Sequence, residues 1–304
     1  MADIATSTAT PAPAVTYKVP TRRHPLLGFA LTQPLGTIGL IVIVVMILSA
    51  IFADVVAPYD PLEINYMAIL APPSAEHWMG TDDFGRDIFS RVLYGARTAL
   101  AVGFISSLVG CSIGALIGMI SAYAGGWIDT FIQRVMDVIL SFPIIVLALA
   151  VVSVLGRNIV MGIDVNLIIA IGLPIIPKVA RVIRSSTLAI RELPYIDAAR
   201  AAGFSNRRIV LRHIMPNVTA PFLIMLTAYV AQAILLEASL SFLGLGVTEP
   251  TPAWGLMLSG SAAQYYQQAP WMIIFPGLAI SLAVFAFNLF GDALRDWLDP
   301  KVRM

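Results

Sequence analysis

The chain of 304 residues is poor in charged residues and has only one cysteine. Asp, Glu, Lys and Arg make up 12% of the residues, whereas hydrophobic residues make up 58%. A soluble domain carries about 25% charged residues, so this deficit predicts a lipid-embedded protein. Cys111 has no second cysteine with which to form an intrachain disulfide. The net charge of +1 gives no electrostatic reason to expect a nucleic-acid partner.

Patterns that carry enzyme chemistry are also missing. A Walker A loop needs Gly-Lys followed by Ser or Thr, and none of the three lysines follows a glycine, which excludes ATP hydrolysis by this chain. The sequence has no His-Glu-x-x-His motif and no Cys/His cluster, so it predicts neither a zinc site nor a resident cofactor. Gly110 to Gly114 match the Gly-x-Ser-x-Gly pattern of serine hydrolases, but none of the three histidines lies in a predicted span where it could serve as the base.

Long apolar segments are the main feature that is present. About 20 apolar residues in a helix cross the bilayer core, and six segments come near that length, which predicts an all-α membrane protein with six transmembrane helices. Pro174 and Pro177 interrupt the fourth segment. The predicted spans are 35–57, 98–123, 129–155, 165–184, 216–243 and 271–291.

The basic residues predict the orientation of these spans. With the N-terminus in the cytoplasm, 15 of the 19 Lys and Arg residues lie on the inside, as the positive-inside rule requires. Both termini are therefore expected in the cytoplasm. The predicted organisation is a flexible tail (1–34), a first helix (35–57), an external segment (58–97) and a core with five further helices (98–304).

Two sets of polar or aromatic residues lie in the predicted external segments. Asp82, Asp83 and Asp87 could bind a metal, but they match no EF-hand spacing, and a turn with hydrogen-bonded carboxylates is the simpler interpretation. The aromatic residues of the second external loop could form an interfacial belt or a stacking site. They are Trp254, Tyr265, Tyr266 and Trp271.

Three glycines and two acidic residues stand out within the predicted spans. Gly110, Gly114 and Gly118 recur every four residues, a spacing that lets helix backbones approach closely in lipid. They predict a helix-packing seam, either within the chain or against a partner. Asp137 and Glu237 are too few to form an ion relay. Structural hydrogen bonding or a gate is the expected role for each, and Glu237 is the predicted gate residue.

The cytoplasmic segment 185–215 is polar and basic. Pro194 suits the first turn of a helix, and Gly203 suits the C′ position just after the helix end, where a positive φ is needed. Ser205 can cap a second helix over 206–215, which Pro216 would end. A helix rich in alanine, flanked by membrane spans, is suited to docking in another protein's groove. A helix-turn-helix DNA reader has a similar pattern but needs freedom from the bilayer.

At these residues the sequence resembles the permeases of binding-protein-dependent ABC importers. The family's coupling motif is Glu-Ala-Ala, three residues, Gly, nine residues and Ile-x-Leu-Pro. This chain has Asp197-Ala198-Ala199, Gly203 and His213-Ile214-Met215-Pro216 at the same spacing, with Asp for Glu, His for Ile and Met for Leu. The stretches 79–91, 123–129, 237–246 and 287–296 resemble the dipeptide, oligopeptide and nickel branch, and the surroundings of the first helix resemble its second, C-type subunit.

The resemblance implies a type I importer fold and a set of partners. These are a second homologous permease that completes the pathway, two ATPase subunits that bind ATP and Mg²⁺, and an external substrate-binding protein. Contact with the ATPase is implied for Leu193, Tyr195, Asp197, Ala198, Ala199, Ala202, Gly203, His213 and Pro216. Peptides are the implied substrates, although the branch also carries nickel complexes and glutathione-like compounds. An ion-coupled carrier acting alone and a membrane enzyme are the competing hypotheses.

Overall fold

The computed structural model describes residues 25–160 and 162–298, and these residues are mainly helical. One two-residue hairpin, β1 (Ile159–Val160) with β2 (Ile163–Asp164), interrupts the helices. The α-helices are α1 (Pro25–Thr32), α2 (Pro34–Ile51), α3 (Ala53–Val56), α4 (Ile88–Ala124), α5 (Gly126–Leu140), α6 (Ile144–Leu155), α7 (Val165–Gly172), α8 (Ile175–Arg191), α9 (Pro194–Ala201), α10 (Asn206–Ile209), α11 (Thr219–Phe242), α12 (Trp254–Met257), α13 (Ser261–Gln264) and α14 (Trp271–Leu298).

The described residues contain four helices that are long and apolar enough to cross a membrane, and six spans if each of two bent pairs is counted as one. The third predicted span is not one straight helix, because α5 and α6 meet at 91°. The fourth is bent by 47° between α7 and α8. Pro143 and Pro174 lie at these breaks, where a proline removes a backbone donor and disfavours a helical residue before it.

Helix α4 forms the centre of the bundle and packs along α8, α11, α7 and α2. The glycine seam predicted for α4 lies within the chain. A Cβ at Gly110 would approach the carbonyl oxygen of Gly172 to 2.7 Å, and one at Gly114 would lie 2.7 Å from the carbonyl oxygen of Ile176. Gly118 lies equally close to the backbone at Ala180. Only hydrogen fits at these positions, so the seam allows α4 to pack backbone to backbone against the end of α7 and against α8.

Several element boundaries differ from the predicted ones. Residues 25–32 of the predicted tail form α1, and Phe29 makes edge-to-face ring contacts with Phe290 and Trp297. Residues 1–24 lie outside the described part of the chain. Helix α4 begins ten residues earlier than predicted, at Ile88, because the Asp87 carboxylate accepts a hydrogen bond from the backbone N–H of Ser90 at 2.8 Å and caps the helix.

The predicted external segment (58–97) packs against the bundle through the aromatic residues of the second predicted external loop. Trp254 is buried, and its Nε1 donates to the carbonyl of Val92 at 2.9 Å. Trp271 donates to the carbonyl of Thr81 at 3.1 Å. Both indoles therefore serve internal packing, which differs from the belt and the stacking site considered above.

Candidate functional site

Helix α9 is held at both ends by the residues that the sequence indicates. Leu193 has an extended backbone and Pro194 occupies the first turn. Gly203 has φ of +78°, the left-handed conformation expected of a C′ glycine. Its N–H donates to the carbonyl of Arg200 at 2.9 Å, and the N–H of Phe204 donates to the carbonyl of Ala199 at 3.1 Å. A Cβ on Gly203 would meet no atom within 4 Å, so the glycine is required for its φ and not for space.

One face of α9 packs into the protein. Ile196 is fully buried and Ala199 is 7% exposed, and both join a core cluster that includes Ile183, Ile209 and Ile214. Ala199 was predicted to contact a partner, but the structure places it on the inner face. It therefore helps to pack α9 against α8 and α10.

The other face of α9 is exposed. The side chains of Leu193 and Tyr195 are each 42% exposed. Asp197 is also exposed and accepts a hydrogen bond from Arg200 at 3.0 Å. Ala198, Ala202 and Gly203 complete this outer face. Among the predicted coupling residues of segment 193–203, Ala199 thus faces inward and the others form the exposed outer face.

The segment after Gly203 is less regular than the single helix predicted over 206–215. Ser205 does cap α10, with its Oγ 3.4 Å from the N–H of Arg208. The backbone then forms a π-helical turn (Val210–Ile214) and a 3-10 turn (Met215–Val218) before α11. Pro216 lies inside the 3-10 turn, so it does not end the helical run, because an early turn does not need its missing N–H.

His213 lies at the joint between α9 and α11. Its ring stacks on Phe204 with 6.0 Å between centroids and lies 6.3 Å from the ring of Tyr195. Its backbone carbonyl accepts a hydrogen bond from Asn217 at 2.6 Å. His213 is half-buried, so it contributes to the packing beneath the outer face of α9.

Ion pairs connect α8, which leads into α9, to α5. The Asp129 carboxylate accepts a hydrogen bond from Nε of Arg184 at 2.6 Å. Asp137 pairs with Arg181, which supports the structural role considered for it. These contacts couple the position of the bent helix pair α5–α6 to that of α8.

Glu237 is fully buried in α11. Its Oε1 accepts a hydrogen bond from Ser241 Oγ at 2.7 Å, and that hydroxyl accepts from the N–H of Val247 at 3.1 Å. The carboxyl group therefore helps to fix the loop that follows α11. Its Oε2 forms no hydrogen bond within the described part of the chain.

An ion-pair network in the predicted external segments was only partly visible in the sequence. Asp82 pairs with Arg86 at 2.6 Å and with the buried Arg91 at 3.7 Å, and Glu249 reaches both arginines at 2.9 and 3.4 Å. Burial lowers the pKa of Arg86, but Asp82 and Glu249 outweigh it and raise that pKa. Within residues 25–160 and 162–298, no group of three or more His, Cys, Asp or Glu side chains is arranged to hold a metal. The Asp82 carboxylate instead pairs with the guanidinium groups of Arg86 and Arg91.

Comparison with known families assigns this architecture. The sequence profile described as "Binding-protein-dependent transport system inner membrane component" matches residues 114–304. The chain belongs to this family. A second profile, the N-terminal transmembrane domain of oligopeptide transport permease C, matches residues 31–73. The chain is therefore a multi-pass inner-membrane permease subunit of an ABC importer, and ATP hydrolysis takes place on separate subunits.

Similar proteins cover nearly the whole permease. It is 46% identical to the dipeptide transport system permease protein DppC of Alkalihalophilus pseudofirmus, over 88% of this chain and 86% of that one. It is 44% identical to the glutathione transport system permease protein GsiD of Escherichia coli, over 89% and 88% of the two chains.

A solved structure supports the fold. The inward-facing MetNI methionine ABC transporter aligns with a TM-score of 0.50 at 18% identity, covering 68% of this chain and 97% of that chain. Permeases of this family act with a second permease, an ATPase and an external binding protein.

Proposed function

We propose that this permease is the C-type subunit of a peptide importer. The match to the permease C profile at residues 31–73 supports this assignment. So does the similarity to a dipeptide permease and to a putative peptide transport system permease protein of Brucella abortus, which is 42% identical over 88% of both chains. ATP-dependent uptake of a labelled dipeptide by the reconstituted complex tests the substrate class. Uptake of glutathione or a nickel chelate in preference to every peptide tried would contradict it.

In this proposal both termini and α9 lie in the cytoplasm. The basic bias of the sequence supports the orientation. The partners are one homologous permease, two ATPase subunits and an external binding protein, with this chain contributing half of the pathway.

We further propose that α9 docks in a groove of the ATPase and is moved by the ATPase when it binds and hydrolyses ATP. The observation that carries this step is the division of α9 into a buried inner face and an exposed outer face. Because Ile196 and Ala199 are packed into a core shared with α8 and α10, α9 cannot move without moving the helices attached to it. A rigid helix seated in a partner's groove converts closure of the ATPase pair into a shift of the bundle.

Cysteine crosslinking to the ATPase groove tests this docking. Ala198→Cys on the outer face is expected to form a disulfide with a cysteine introduced in the groove, and the yield is expected to change with ATP. Ala199→Cys, one position away but buried, is the matched control and is expected to stay unreacted. Equal reaction at both positions, or no crosslink at any outer residue from 193 to 203, would remove the docking proposal.

Glu237 is proposed as a gate residue because its hydrogen-bond chain through Ser241 connects α11 to the external loop at Val247. Glu237→Gln keeps an acceptor for the Ser241 hydroxyl, whereas Glu237→Ala removes it. Uptake by the assembled complex is expected to fall in the alanine variant and to be largely kept in the glutamine variant. Normal uptake by the alanine variant would rule out the gate.

A further inference from the structure

Three exposed arginines form a basic surface beside α9. Arg207 and Arg208 lie on α10, and Arg212 lies on the π-helical turn that follows it. We refer to these three residues as the arginine patch. They line an open depression of about 450 Å³, whose wall is completed by Ser205, Leu211 and Pro216.

The charge of the arginine patch is not neutralised within the part of the chain that the structure describes. No carboxylate there lies within ion-pair distance of any of its three guanidinium groups. Nearby arginines behave differently, since Arg181, Arg184 and Arg200 each pair with an aspartate. Arg208 is oriented by stacking on the ring of Phe204, with 4.0 Å between the guanidinium carbon and the ring centroid. The patch therefore presents three positive charges without an ion-pair partner in the described residues, and this arrangement favours an anionic partner.

The arginine patch lies in the segment that leads directly into a membrane-spanning helix. Arg212 precedes the start of α11 at Thr219 by seven residues, which corresponds to roughly 10 Å along a helix axis. Long arginine stems extend toward the interface and keep their charged ends among the headgroups.

Apolar side chains alternate with the arginines on the same surface. Leu211 is 47% exposed and Met215 is 41% exposed. Leu211 lies between Arg208 and Arg212 in the sequence and Met215 follows Arg212, so this exposed apolar row leads from the patch toward α11. A surface with basic groups at one level and exposed apolar groups next to the span is typical of a membrane interface. An acidic protein surface would match the charge but would leave this apolar row without a partner.

We propose that the arginine patch binds the phosphate of an anionic phospholipid in the cytoplasmic leaflet. Guanidinium groups bind phosphate oxygens through paired hydrogen bonds. A headgroup held there would brace the joint between α9 and α11 through which coupling is proposed to pass. This proposal rests on the proposed cytoplasmic location of α9, and its test is independent of transport.

The test measures lipid binding to the purified complex of permeases and ATPases. Short-chain phosphatidylglycerol is titrated into the detergent-solubilised complex, and bound lipid is counted by native mass spectrometry, with phosphatidylcholine as the neutral comparison. The variant Arg207→Gln/Arg208→Gln/Arg212→Gln is expected to bind phosphatidylglycerol on the order of a hundredfold more weakly, since each basic residue near an anionic surface contributes about fivefold. The matched variant with lysine at all three positions keeps the charge and is expected to lose only a small part of the affinity.

Four results would overturn the proposal. The first is unchanged phosphatidylglycerol binding by the glutamine variant, and the second is equal binding of phosphatidylcholine. The third is inorganic phosphate binding as tightly as the lipid, which would indicate a site for the free anion. The fourth is loss of the ATPase subunits with lipid binding intact, which would assign the patch to the protein partner. The Ala198→Cys crosslink, measured on the same variants, reports separately whether α9 is docked and the complex is folded.

Discussion

Replacing Gly203 with valine tests whether the C-terminal end of α9 is needed to couple ATP hydrolysis to transport. Gly203 has φ of +78°, and a left-handed backbone costs an L-residue roughly 1–2 kcal/mol. A β-branched side chain such as valine is a genuine outlier there. Because a Cβ at this position would meet no atom within 4 Å, the expected cost arises mainly from the backbone conformation.

This free-energy cost is small compared with the stability of a folded protein, but it is large enough to change which conformation the end of α9 adopts. A change of 1–2 kcal/mol alters a population by a factor of about 5–30. The chain is therefore expected to fold and assemble, while the arrangement of Gly203 and the outer face of α9 becomes a minor conformation. ATP-dependent uptake by the reconstituted complex is expected to fall by about that factor, with ATP hydrolysis no longer matched to transport.

Two control variants separate backbone conformation from other effects. Gly203→Asn places a residue that tolerates the left-handed region, and it is expected to keep most of the uptake. Gly156→Val introduces the same kind of strain at the C-terminal cap of α6, where φ is +66° and a Cβ also meets nothing within 4 Å. It is expected to lower stability without uncoupling. Normal uptake by Gly203→Val would refute the reasoning, and equal impairment by valine and asparagine would assign the effect to side-chain bulk.

Two further predictions concern the stability of the bundle. Asp82→Asn leaves the buried Arg91 with less charge compensation and is expected to destabilise the protein by about 3 kcal/mol, measured as a lower thermal midpoint of the purified chain. The control is Asp83→Asn, because Asp83 acts on Arg91 only from beyond ion-pair distance. Equal midpoints for the two variants would contradict the role given to the network. Gly114→Val is expected to lower the midpoint by several degrees, because its Cβ would lie 2.7 Å from the carbonyl oxygen of Ile176 and must separate α4 from α8. Gly277→Ala, a helical glycine whose added Cβ meets nothing within 4 Å, should leave the midpoint nearly unchanged, and a matching loss there would show that glycine content, and not the seam, is responsible.

Local features of the structure were predictable from the sequence because they depend on neighbouring residues. The apolar segments predicted the membrane class, and Pro194 with Gly203 predicted the start and the end of α9. Capping and φ preferences act within one turn, so a short stretch of sequence contains the information. The 91° break between α5 and α6 was missed, although Pro143 marks it, because the apolar composition continues through the bend.

Which residues meet across the chain was decided only by the tertiary structure. Ala198 and Ala199 are the same residue type in the same helix, and only the core built by α8, α10 and α11 makes one exposed and the other buried. Glu249 reaches Arg86 across 163 positions, a pairing that no local pattern contains. By itself the sequence determined the membrane class and the two ends of α9, and it contains the residues that resemble the coupling motif. The packing of α4 against α8, the choice of faces on α9 and the long-range ion pairs required the folded chain, because each depends on contacts between segments far apart in the sequence.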